Sequence, residues 1–142
     1  MTDPEMAEIG EAAALGHAGD IAAARQRFTE LWDRLDDPFH RCGLAHYAAD
    51  VQASPAEELR WDLRALAAAD EVRDRTAVAA FYPSLHLNLA DVHRRLGDVE
   101  HATHHLARAG ATVDTLPDDG YGRMIRGGIA RCAARMTNPE GS

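Results

Sequence analysis

Residues 83–109 read PSLHLNLADVHRRLGDVEHATHHLARA, and the fold turns on this stretch. Leu85, Leu89, Val92 and Leu96 recur at helical spacing along one stripe, with Ala90 beside them. Val99, Ala102, Leu106 and Ala109 form a second stripe. Between the two, Gly97 is suited to the left-handed conformation that ends a helix, and Asp98 is suited to cap the next one. The spacing predicts two amphipathic helices folded back into a hairpin with almost no loop.

One such hairpin cannot bury its apolar stripe alone, so further copies are required. Leu15-Gly16-His17-Ala18-Gly19-Asp20-Ile21, followed by Ala24, Phe28 and Leu31, mirrors the 96–109 segment. A third unit replaces Gly-Asp with Ser54-Pro55-Ala56 and continues with Leu59, Leu63 and Leu66. Ser54 followed by Glu57 forms a capping-box pattern. Asp3-Pro4 and Asp37-Pro38 lie 34 residues apart, each an N-cap residue followed by proline at the first helical position. The period, the small residues Ala12, Ala45 and Ala90, and the Gly-Asp turn together resemble the tetratricopeptide repeat.

Several positions match that family's pattern. Ala90 and Ala102 correspond to its two small positions, Gly97-Asp98 to its turn, Leu106 and Ala109 to its closing apolar pair, and Phe28 to its aromatic in the second helix. The chain departs from the pattern at His86 and His93, where tryptophan and tyrosine are usual, and in the middle unit, which lacks the glycine. The resemblance implies an all-α, right-handed α-solenoid as a single domain over 1–142, with hairpins at about 4–37, 38–70 and 83–116 and a capping helix at 121–136. It also implies a concave groove lined by the first helix of each hairpin. By repeat alignment the groove takes Met6, Ile9 and Ala13, then Arg41, Leu44 and Ala48, then Leu87, Asn88, Asp91, Arg94 and Arg95. Such a lining suits an apolar or amphipathic peptide. Two alternatives stand beside it: the groove is filled by the last helix, or it is used in a homodimer.

Taken in order, helix one is expected from Pro4, and helix two from Ile21 to about Leu35 with Ile21, Ala24, Phe28 and Leu31 inward. Helix three is expected from Pro38 to about Ala53. Helix four should run from Pro55 to about Ala69, with Leu59, Leu63, Leu66 and Ala67 inward and Trp61 on the far side, as core or as a binding aromatic. Residues 71–80 are strong helix formers and are expected to lengthen their neighbours. The last helix carries Tyr121, Met124, Ile125, Ile129, Cys132, Ala133 and Met136 on one stripe, suited to covering the open end of a stack. Gly127-Gly128 within it requires a close helix approach to offset its backbone cost.

Composition narrows the function. The chain has 142 residues, 28 of them alanine, and a formal charge of −8, which argues against nucleic acid as a partner. Every one of its 15 basic side chains is arginine, a codon bias that suggests a bacterial source. Cys42 and Cys132 have no motif spacing and read as buried thiols. No apolar run reaches the length of a membrane span and no signal-peptide pattern begins the chain, so a cytoplasmic protein is expected.

His101, His104 and His105 form the sharpest chemical pattern. His101 and His105 share a helix face, but no third ligand stands at a fixed spacing, so exposed histidines and no metal or other cofactor are expected. Asp91 with His93, and His86 with Asp98, are candidate acid–base pairs, yet no nucleophile motif or phosphate loop accompanies them. With no catalytic motif beside it, the resemblance implies a non-enzymatic module that binds a protein or peptide, with a self-associating structural or regulatory protein as the alternative.

Overall fold

The structure, a computed structural model, describes residues 3–137; 1–2 and 138–142 lie outside the described residues. The described residues are all-α, with no strand. The helices are α1 (Pro4–His17), α2 (Ile21–Arg34), α3 (Pro38–Ala49), α4 (Pro55–Glu71), the short α5 (Arg75–Ala79), α6 (Tyr82–Arg95), α7 (Val99–Thr112) and α8 (Gly120–Thr137). They pack as hairpins α1–α2, α3–α4 and α6–α7, with α8 against α6 and α7. None is long and apolar enough to cross a membrane. The chain forms two compact units, one ending at Arg73 and one beginning at Asp74.

The helix starts follow from local chemistry. Asp3 accepts from the Glu5 and Met6 amides at 3.1 and 3.3 Å, Asp37 from the His40 amide at 3.2 Å, and Ser54 Oγ from the Glu57 amide at 3.3 Å. Each bond satisfies an amide that the first turn of a helix leaves without a partner, and proline follows each cap. Gly19 (φ 92°) and Gly97 (φ 81°) close the α1–α2 and α6–α7 turns in the left-handed region, where a side chain is disfavoured.

In the first unit Ile9, Ala12, Ala24, Phe28, Leu31, Leu44, Ala45 and Ala65 have no exposed surface. In the second, Leu89, Ala90, Val92, Ala102 and Ala109 are equally closed off. Ala90 and Ala102, the small positions of the hairpin, are both fully buried. Cys42 and Cys132 are buried free thiols, and burial pushes the Cys42 thiol up to about 11.

Several local expectations are corrected. Residues 71–80, expected to lengthen their neighbours, carry α4 only as far as Glu71 and otherwise form a helix of their own. Val72 turns extended, and Asp74 caps a separate α5 by accepting from the Ala77 amide at 3.1 Å. Helix α3 stops at Ala49 rather than about Ala53, because the Asp50 and Val51 amides turn back to the Tyr47 and Ala48 carbonyls. The buried side of α4 is Trp61, Ala65, Ala68 and Ala69, while Leu63 is 46% exposed and Ala67 is exposed as well. The run of alanines let either side of α4 read as apolar, and the large Trp61 ring took the interior. Ile21, Leu96, Val99, Tyr121 and Met124, expected on apolar stripes, are at the surface.

Candidate functional site

The groove residues of the first unit do not form an open surface. Ile9, Leu44 and Ala48 are fully buried, and Met6 and Ala13 are half-buried. These positions of α1 and α3 serve the packing of α3 on α1 and α2. Arg41 lies flat on Trp32, its Cζ 3.7 Å from the ring centroid, in a cation–π contact. Trp32 meets Trp61 edge to face at 5.5 Å, and Arg64 covers Trp61 at 4.6 Å. Trp61 is therefore a buried packing residue and not an exposed binding aromatic.

In the second unit the last helix occupies the α6 face. A Cβ on Gly128 would stand 2.7 Å from Leu87 Cδ2, so glycine lets α8 lie against Leu87 without moving that side chain. The close approach explains Gly128; Gly127 meets only the Arg131 guanidinium of its own helix. Leu87, Asn88 and Asp91 then line a shallow cleft of about 200 Å³ shared with Gly128, Arg131 and Cys132. Asp91 accepts from Arg94 Nη2 at 2.9 Å and from Arg95 Nε at 3.0 Å. Both arginines expected to meet a ligand thus already hold a carboxylate of their own helix.

A larger cavity of about 440 Å³ opens beside them, where the α6–α7 turn meets the end of α8. Its walls are Arg94, Arg95, Gly97, Val99, Ala102, Arg135 and Met136. Val99 is 65% exposed, and neighbouring Leu96 is exposed too. A lining that joins apolar side chains with three arginines fits an apolar side chain followed or preceded by acids.

Histidines also run along the same hairpin. Tyr82, His86, His105, His93 and His101 form a continuous stack of rings, with successive centroids 6.1, 5.3, 5.6 and 5.0 Å apart. His86 Nδ1 and His105 Nδ1 are 3.0 Å apart, so one ring donates to the other. Burial, helped by the neighbouring imidazoles, pulls His105 down to about 4, so this ring is neutral at ordinary pH. His105 is buried, which corrects the expectation that all three α7 histidines face water; only His101 and His104 do. His101 and His105 consequently point to different neighbours and do not converge as a ligand pair.

The turn brings together a different set. Asp98 Oδ1 accepts from the His101 amide at 3.2 Å, while Oδ2 lies 2.7 Å from His101 Nδ1 and 3.5 Å from His93 Nδ1. The amide bond from His101 holds the Asp98 carboxyl below its usual range, and burial lowers His93. Asp91, the other carboxylate expected beside His93, is paired with arginines. The sequence signal for this trio is His-x4-Asp-x2-His straddling the glycine turn, a spacing hidden by the denser His101–His105 pattern.

In comparisons with known proteins, no family model, curated protein or solved structure matches this chain. Its function is therefore argued from its own geometry.

Proposed function

We propose that the chain is a non-enzymatic helical-repeat protein of the tetratricopeptide type, built as a right-handed array, that binds an acidic, apolar-anchored segment of a partner protein. The observation that supports this reading is the 440 Å³ cavity of the second unit, lined by Val99, Ala102 and Met136 together with Arg94, Arg95 and Arg135. Asp91 offsets part of the charge of Arg94 and Arg95, while Arg135 comes from the opposite helix. The binding surface on this reading is this cavity, and the Leu87 face serves internal packing.

The test is fluorescence anisotropy of the full chain with peptides that carry one large apolar residue flanked by acids, and with their lysine-flanked counterparts. The acidic series is expected to bind better. Val99→Asp and Arg135→Glu should each weaken it at least about tenfold, the equivalent of about 1.4 kcal/mol. Neither change touches the core, so helicity should persist. Equal binding of both peptide series, or unaltered binding by both variants, overturns the reading. A dimer in sedimentation that Val99→Asp dissociates would instead assign the cavity to a second copy of this chain.

A further inference from the structure

We propose that His93, Asp98 and His101 form a binding site for a zinc-class divalent cation at the α6–α7 turn. One ligand atom from each residue lies within 4.8 Å of both others. Tetrahedral ligands about 2.0–2.1 Å from zinc stand about 3.3 Å apart, so shifts on the order of 1 Å close the site. Two imidazoles and one carboxylate are a donor set for borderline transition metals and not for calcium or magnesium.

The second observation is an unsatisfied donor atom. His93 is 7% exposed, and its Nδ1 is buried with no hydrogen-bond partner, facing Asp98 Oδ2 at 3.5 Å. A buried polar atom without a partner is costly, and a coordinated cation would satisfy it. Asp98 is already oriented to coordinate, because Oδ1 holds the α7 amide and Oδ2 remains for the metal. On binding, His101 Nδ1 exchanges its contact with Asp98 for the metal, and its ring carries its proton on Nε2 instead. Three ligands leave one tetrahedral position for water or for a partner's side chain. The site stands whether or not the adjoining cavity receives a peptide.

Isothermal titration of the full chain with zinc chloride tests this, alongside cobalt(II) substitution followed by its d–d absorption. One equivalent of zinc is expected to bind at low-micromolar affinity, with cobalt bands of four-coordinate type. His101→Ala and Asp98→Asn should each weaken binding by no less than the roughly 10–100-fold that second-sphere changes cost. Asparagine keeps the helix cap, and His101 is exposed, so both variants retain the fold, with circular dichroism as the check. His104→Ala, on the same helix but outside the trio, should bind as the parent does. No saturable zinc binding, undiminished binding in His101→Ala, or equal loss in His104→Ala would each overturn the assignment.

Discussion

The two glycine–aspartate turns were built from the same letters and came out differently. Gly19-Asp20 and Gly97-Asp98 both end a helix with glycine in the left-handed region, and both aspartates precede a helix of fourteen residues. Asp98 caps its helix, whereas Asp20 makes no side-chain capping bond. Five residues before and three after Asp98 stand His93 and His101; the same offsets from Asp20 give Leu15 and Ala23. Eight residues on, the first turn is followed by Phe28, fully buried, and the second by Leu106, half-buried. A shared turn thus sets the hairpin, while its neighbours decide whether it is only a corner or also a place where polar groups converge.

The largest difference should appear at the eighth position. Phe28→Ala empties a closed core site and should cost about 3–5 kcal/mol, against about 2 kcal/mol or less for Leu106→Ala. Trp32 and Trp61 both lie in the first unit, so tryptophan fluorescence in a urea titration reads Phe28→Ala directly. Equal losses would mean that the two hairpins bury their closing residues alike and that the contrast is false.

Next come the glycines themselves. Neither Gly19 nor Gly97 would bring a Cβ within 4 Å of another group, so Gly19→Ala and Gly97→Ala differ from the parent only in backbone strain. Each should cost about 1–2 kcal/mol, and the two costs should agree. A marked inequality in denaturation midpoints would show that one turn is also held by something besides its φ angle.

A smaller effect separates the aspartates. Asp98→Ala should lower the melting temperature, since the His101 amide loses its acceptor, and Asp20→Ala should leave it close to the parent. Similar shifts would break the distinction between the capped and uncapped turns.

The smallest effect belongs to the histidine of the first unit. His40 is joined to Glu5 at 2.7 Å and Asp3 at 2.6 Å, tying α3 to the start of α1. Burial alone would lower its pKa, but the bonds to Asp3 and Glu5 outweigh that, and the net shift is upward. A raised folded-state pKa contributes stability that is complete below the ordinary histidine value of about 6.5 and is lost as pH rises through the folded value. Relative to the parent, His40→Gln should therefore show less loss of stability from slightly acidic to slightly alkaline pH. A parallel profile for both proteins would refute this role, and His46, which burial shifts the other way, makes the comparison with the parent essential.

What the sequence determined was local. Caps at Asp3, Asp37, Ser54 and Asp98 act within three residues, so they were legible without any fold, as were the glycine turn at Gly97 and the alanines at 12, 45, 90 and 102. Helix phase was legible wherever one stripe dominated, as in α6, and not in α4, where alanines surround the helix and only packing chose Trp61 over Leu63. The tertiary structure alone decided the candidate sites. His104 and His105 are adjacent in sequence, yet about 100° of helical rotation puts one in water and the other in a stack of rings. Leu87 reads as a groove residue until α8 brings Gly128 onto it. His93, Asp98 and His101 meet only because the turn folds α7 back along α6, and that proximity between helices is a property no stripe or spacing contains.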